Sequence, residues 1–226
     1  MPRFRRGFDV QQAHDWLARR DRRLAAWMKR LGPIEAPPDW GKSFDPVDAL
    51  ARAILFQQLS GKAASTIVGR VETAIGSTRL HADTLGRIDD AALRLCGVSG
   101  NKALALRDLA RREASGEIPD LRRMSVMEHD AIIEALVPIR GIGRWTVEMM
   151  LMFRLGVGRP DILPIDDLGV RKGAQRVDKA EVMLTPKALA ERGEKWGPYR
   201  TYASLYLWRI ADFSEVPKAA TNRSQD

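Results

Sequence analysis

Ile139-Arg140-Gly141-Ile142-Gly143-Arg144-Trp145-Thr146 lies between two stretches of helical apolar spacing, and its reading decides how the chain is organised. Two glycines flank one apolar residue in a turn too tight for side chains. Glycine enters positive φ without a Cβ penalty and lets a ligand approach the backbone, while Ile142 can anchor the turn in a core. The N–H groups that open the next helix have no intrahelical acceptor, and with the helix dipole behind them they form an anion site. A helix pair built this way can hold a nucleic-acid backbone at its phosphates without reading sequence. The same residues also suit an ordinary turn between helices, so this stretch alone leaves both readings open.

On either side the pattern is helical. Trp16, Leu17, Leu24, Trp27, Met28 and Leu31 predict one helix from Phe8 to Leu31, stopped by Gly32-Pro33. Asp45 before Pro46 starts another, with Val47, Leu50, Ile54, Leu55 and Leu59 as its apolar stripe. Ala63, Ala64, Ile67, Val68, Val71 and Ile75 mark the next. Helices are predicted over 90–96, over 102–114 with Asn101 as cap, and over 126–139 with Ser125 and Glu128 as a capping box. Others run from Arg144 to Leu155, from Asp167, from Thr185-Pro186, and from Pro198 to Phe213, with a frayed tail after Val216. No stretch alternates apolar and polar residues long enough to make a strand, so the expected fold class is all-α.

Composition bounds the function. The 226 residues carry 37 Lys+Arg against 29 Asp+Glu, a net charge of +8 that favours a polyanionic partner. A 45% hydrophobic content excludes a disordered or collagen-like chain. No apolar run approaches the roughly 18–20 residues of a membrane span, and Met1-Pro-Arg-Phe-Arg-Arg lacks the apolar stretch of a signal peptide, so no membrane partner is expected and the protein is expected inside the cell. The single cysteine, Cys96, excludes an internal disulfide and cysteine-ligated clusters, and His14, His81 and His129 show no ligand spacing. Residues 1–31 hold nine Lys/Arg and three Asp, so that segment alone contributes +6, as a solvated face or as salt-sensitive attraction for a polyanion.

Some twenty residues after the glycine turn comes Leu163-Pro164-Ile165-Asp166-Asp167-Leu168-Gly169-Val170-Arg171. An acidic pair opens a helix after a loop. One Asp can serve as N-cap while the helix dipole favours its ionised carboxylate. Both can equally be plain capping residues.

Taken together, the Gly-Ile-Gly turn and the Pro-x-Asp-Asp helix start resemble the helix-hairpin-helix DNA glycosylase superfamily. Three further stretches narrow the resemblance to its alkylbase branch, the 3-methyladenine DNA glycosylase II family. These are Ile54-Leu55-Phe56-Gln57-Gln58-Leu59-Ser60-Gly61-Lys62-Ala63-Ala64, Gly97-Val98-Ser99-Gly100-Asn101-Lys102, and Trp196-Gly197-Pro198-Tyr199-Arg200 with Trp208. The similarity covers about residues 44–213. It implies two helical subdomains flanking a DNA-binding cleft. Residues 45–160 would form the central one, with the hairpin at 126–156, and 1–44 with 161–226 the second. Only 44 residues precede Asp45, so the extra β domain of longer relatives is expected to be absent.

The resemblance also implies roles. Asp167, three residues before Val170, matches the catalytic aspartate. Trp145 stands where strand-cutting relatives carry a lysine, which implies a monofunctional glycosylase without lyase activity. Gln58, or its neighbour Leu59, matches the wedge that fills the gap left by a flipped nucleotide. Trp145 and Trp208 match base-stacking positions, joined by Tyr199 in the aromatic pocket, while Met149 stands where relatives carry another aromatic. Tyr199, Tyr202 and Tyr206 share one helix face, and part of that stripe is expected in the core. Gly141, Gly143, Arg144 and Thr146 of the hairpin, with Ser99, Gly100 and Lys102 of the other turn, would grip phosphates. A structural Na or K ion could be held by the backbone carbonyls of Val137, Ile139 and Ile142; no other cofactor is expected. The implied partner is double-stranded damaged DNA, bound by a monomer, in the nucleoid of a bacterium or the nucleus of a eukaryote. A protein that binds lesions without chemistry, or a glycosylase preferring neutral lesions such as hypoxanthine or ethenoadenine, would share much of this pattern.

Overall fold

The computed structural model describes residues 9–40, 42–155 and 158–214; Arg3, Arg5, Arg6 and the tail after Val216 lie outside them. Among the described residues it contains helices and no strand, as the all-α expectation requires. No helix among them is long and apolar enough to cross a membrane. The chain forms two compact units.

The unit of residues 36–162 holds α3 (Pro46–Phe56), α4 (Gly61–Ile75), α5 (Ala82–Leu85), α6 (Asp90–Leu95), α7 (Gly100–Ala114), α8 (Leu121–Met124), α9 (His129–Leu136) and α10 (Arg144–Arg154). Helix α7 is its hub, packing on α3, α5 and α6, while α9 packs on α10. Leu50, Ile54, Leu55, Val68, Val71, Leu106, Leu109, Leu136 and Leu151 are buried in its core. Asp45 caps α3 through the N–H groups of Val47 and Asp48, with Pro46 at the first helical position. Two other starts differ from the sequence pattern. Ser99, rather than Asn101, caps α7 by accepting from the Lys102 N–H, so the helix starts at Gly100. The capping box at Ser125 and Glu128 does not form, because Ser125 ends α8 and donates to the Arg122 carbonyl, and α9 starts only at His129. The short α5 and α8 escaped the pattern because a single turn carries no periodicity.

The second unit comprises residues 10–35 and 163–214. It contains α1 (Val10–Arg20), α2 (Arg22–Leu31), α11 (Leu168–Asp178), α12 (Pro186–Gly193), a 3₁₀ turn at Glu194–Trp196, and α13 (Arg200–Asp212). Helix α11 packs closely on α13, and α1 and α2 lie against α13. Trp196, Tyr202 and Tyr206 are fully buried. The Tyr202 hydroxyl donates to the Ile34 carbonyl at 2.8 Å, and that of Tyr206 to the Gly32 carbonyl at 3.1 Å, which ties down the loop after α2.

The single helix expected up to Leu31 is broken at Asp21. This carboxylate caps α2 through the Arg23 and Leu24 N–H groups. Its side chain is 1% exposed and lies 2.6 Å from the Arg192 guanidinium, with the Trp196 Nε1–H donating to it at 2.8 Å. Burial alone would raise its pKa, but hydrogen bonds from Arg192, Trp196 and the Leu24 N–H outweigh that and hold it at about 2. An unfolded aspartate titrates near 3.9. The resulting stabilisation, roughly 2 kcal/mol, is therefore present above about pH 4 and lost as pH falls towards 2. Urea unfolding of wild type and Asp21→Asn across that window should show the gap between them closing with acid; a pH-independent gap would contradict the ion pair.

Candidate nucleic-acid interface and active site

In the 36–162 unit the glycine turn joins α9 to α10, forming the helix-hairpin-helix. Gly141 sits at φ +79°, where a side chain would be strained, and a Cβ there would stand 3.3 Å from the Ala105 Cβ. Ile142 is 3% exposed and anchors the turn. Asp108 of α7 accepts the Arg140 N–H at 2.8 Å. Among the described residues the N–H groups of Gly141, Gly143 and Arg144 meet no protein acceptor, at the end of a helix where the dipole favours an anion. The Thr146 N–H is used within the helix start, on the Gly143 carbonyl. The carbonyls of Val137 and Ile142 accept no hydrogen bond among the described residues, and that of Ile139 accepts one.

The hairpin cations differ from expectation. Arg144 donates to Glu148 at 3.0 Å and to Asp130 at 3.3 Å, so carboxylates already neutralise it. Lys102 points inward, with Nζ 2.7 Å from the Leu55 carbonyl and 2.8 Å from that of Gln57. Burial pushes its pKa down. The hairpin arginine without a side-chain partner among the described residues is Arg140, which is exposed and which the sequence reading passed over. The second turn nonetheless forms, with Ser99 as cap and Gly100 opening α7.

Beside the hairpin lies a pocket of 640 Å³, lined by Leu50, Phe56, Gln57, Gln58, Trp145, Met149 and Met150, with Arg52 and Arg154 among its other residues. Its size falls within the roughly 300–1,000 Å³ of ligand pockets. Trp145, in the first turn of α10, is 49% exposed, unusual for the largest apolar side chain. Met149, one turn on, shares the pocket. Phe56 is 40% exposed, an aromatic that the sequence reading did not single out. Arg52 pairs with Asp48 and Glu72, and Arg154 with Asp39, so neither guanidinium stands uncompensated. Gln58 lies in the turn between α3 and α4 at φ +56°, a left-handed conformation unfavourable for a residue with a Cβ. Leu59 beside it is 40% exposed.

In the second unit Asp167 is the N-cap of α11, its Oδ1 accepting the Val170 N–H at 2.8 Å. Trp208 of α13 donates its indole N–H to the same Oδ1 at 2.7 Å. The pattern assigned Trp208 to base stacking; the structure gives it a hydrogen bond that orients the carboxylate. A Cβ on Gly169 would stand 2.7 Å from the indole Cδ1, so this glycine admits the ring. Asp166 is exposed. Tyr199 is half-buried, with its ring edge-on to Trp16 at 6.1 Å. Among the described residues no three His, Cys, Asp or Glu side chains gather as metal ligands.

Residues 51–198 match the model of the HhH-GPD superfamily base excision DNA repair protein. DNA-3-methyladenine glycosylase 1 of Schizosaccharomyces pombe is 33% identical over 77% of this chain and 76% of its own. The crystal structure of a DNA-3-methyladenine glycosidase from Bacillus halodurans superposes with a TM-score of 0.78 and 36% identity, covering 91% of each chain. A 3-methyladenine DNA glycosylase from Schizosaccharomyces pombe, in complex with abasic DNA, superposes with a TM-score of 0.76 and 31% identity, over 92% of this chain and 100% of that one.

Proposed function

The chain belongs to the HhH-GPD superfamily of base excision DNA repair proteins, and from that premise we propose that it is a monofunctional glycosylase that hydrolyses N-alkylated purines, such as 3-methyladenine and 7-methylguanine, out of duplex DNA. The observation that carries this reading is that the hairpin's second helix puts Trp145 directly after the glycine turn and into the same pocket as Gln58.

A stacked base is out of reach, so the nucleotide must be flipped, at a cost of a few kcal/mol that a damaged base lowers. The free N–H groups of the hairpin hold the phosphates, and Gln58, with Leu59 beside it, fills the vacated stack. Trp145 and Phe56 present electron-rich faces that attract a cationic, electron-poor base more than a neutral one, and the polarisable Met149 thioether can pack against the base's ring. As the C1′–N bond breaks, its electron pair leaves with the base. A base already cationic through alkylation departs neutral and needs no acid catalyst. The Asp167 carboxylate stabilises the oxocarbenium-like sugar, orients the attacking water and accepts the proton it loses as its hydroxyl bonds to C1′. Trp145 has no amine to form a Schiff base, so the strand is left intact at an abasic site. Hairpin, wedge, pocket and carboxylate all reside on one chain, which supports action as a monomer. A Na or K ion on the carbonyls of Val137, Ile139 and Ile142 would stiffen the hairpin, and no step needs it.

Purified protein should release free methylated bases from duplex DNA and leave uncleaved abasic strands. Trp145→Ala should lower the ratio of 7-methylguanine to hypoxanthine release by about tenfold, the scale of a desolvated cation–π contact. Lesion binding without release by wild type would favour a non-catalytic recognition protein, and an unchanged ratio would remove Trp145 from base selection.

A further inference from the structure

Gln57 and Lys102 tie the wedge turn to the hairpin and to α7. Gln57 ends α3, and its Nε2 donates to the Gly141 carbonyl at 2.7 Å, across 84 residues of chain. Lys102, from the first turn of α7, donates to the carbonyls of Leu55 and Gln57 at 2.7 and 2.8 Å. Carbonyls at a helix C-terminus lack intrahelical donors and carry the negative end of the dipole, so an ammonium is a favourable cap there. Helix α4 solves the same problem with Gly76 in the left-handed conformation. Closing α3 with a lysine from another helix leaves its C-cap position to a residue with a long amide side chain, and that amide reaches the hairpin.

The arrangement has one backbone. Lys102, Ala105 and Asp108 recur at spacings of three along α7 and so share a stripe. Lys102 holds the end of α3, Ala105 packs under Gly141, and Asp108 accepts the Arg140 N–H. The next residue after Gln57 is Gln58, in its strained left-handed turn. A partly exposed amide–carbonyl bond adds little to folding stability, because water competes for both groups. What it does set is the position of one turn relative to the other.

We propose that Gln57 and Lys102 are positioning residues that couple the hairpin's hold on phosphate to the wedge, keeping Gln58 aimed into the stack while the backbone is gripped. The inference rests on the glycosylase reading and deepens it. It also removes Lys102 from the phosphate contacts.

The test uses full-length wild type, Gln57→Met, which keeps the length and loses the donor, and Lys102→Met. Each is assayed in single turnover on a 7-methylguanine in a paired duplex and on the same lesion inside an unpaired bubble, where no stacked gap must be held open. In both variants release of the paired lesion should fall at least tenfold further, relative to wild type, than release of the bubble lesion. Gln58→Ala should cost less in the Gln57→Met background than in wild type, as coupled positions do. The salt slope of DNA binding should be unchanged in Lys102→Met, whereas losing a phosphate contact would reduce it by about 0.9. Equal losses on both substrates, wild-type rates on the paired lesion, or a reduced slope would overturn the proposal; Gln57→Met decides it alone should Lys102→Met not fold. No release by wild type from either substrate would overturn the glycosylase reading itself, and the coupling with it.

Discussion

Asp167→Asn should slow base release about a thousandfold while DNA binding and folding stay near wild type. Asparagine caps helices as well as aspartate does, and its amide oxygen can accept the Val170 N–H and the Trp208 indole N–H as Oδ1 does now. What the variant lacks is the negative charge. A carboxylate about 4 Å from a developing positive charge, at an effective dielectric of about 20, contributes ~4 kcal/mol, which corresponds to roughly three orders of magnitude in rate. Asp167→Ala is a poorer probe, since it also loses a cap worth about 1 kcal/mol. Single-turnover release of 7-methylguanine, with fluorescence anisotropy on the same duplex, separates chemistry from binding. Equal rates for wild type and Asp167→Asn would return the residue to a purely capping role.

Gly173→Ala should produce the largest loss of stability among the single substitutions considered. Gly173 lies where α11 crosses α13, and a Cβ there would overlap the Leu207 carbonyl oxygen and crowd its Cα at 2.8 Å. A backbone carbonyl cannot rotate aside as a side chain can, so the helices must separate. Overpacking of this kind costs about 1–3 kcal/mol, and the upper end is expected here. Helix α11 begins after Asp167 and α13 carries Trp208, so separation should also loosen the hydrogen bond that orients the carboxylate. Urea unfolding should show a lower midpoint at constant m value. Gly69→Ala is the control. Gly69 lies within α4 with nothing within 4 Å of its Cβ position, so alanine should stabilise by up to about 1 kcal/mol. Equal midpoints for the two variants would contradict the crossing geometry.

The residues that decide these outcomes were legible to different degrees. Asp167 at a helix start, Asp45-Pro46, Thr185-Pro186 and the glycine hairpin could all be read directly, because each cap or turn is satisfied within about three residues of chain. The break at Asp21 was not legible. Apolar spacing runs through it without interruption, and Arg192, Lys195 and Trp196, each more than 170 residues away, are what add to its local caps to make the buried carboxylate favourable there. The tyrosine stripe of α13 shows the same division. Its spacing placed three tyrosines near one face, but the loop at Gly32 and Ile34 is what draws Tyr202 and Tyr206 into the core, while Tyr199 rests on Trp16.

By itself, then, the sequence determined an all-helical chain, the positions of its main caps, a glycine turn joining two helices, and the family resemblance that the comparisons establish. Tertiary structure decided what the charged and polar side chains do: Lys102 and Arg144 turned to protein acceptors, Arg140 left exposed, Trp208 bound to Asp167, and Gln57 tied to Gly141. The physical reason is the range of the interactions. Helix propensity, capping and glycine turns are decided within a few residues. A long side chain instead chooses among acceptors that only folding brings near, and near the surface the differences between those choices are about 1 kcal/mol each.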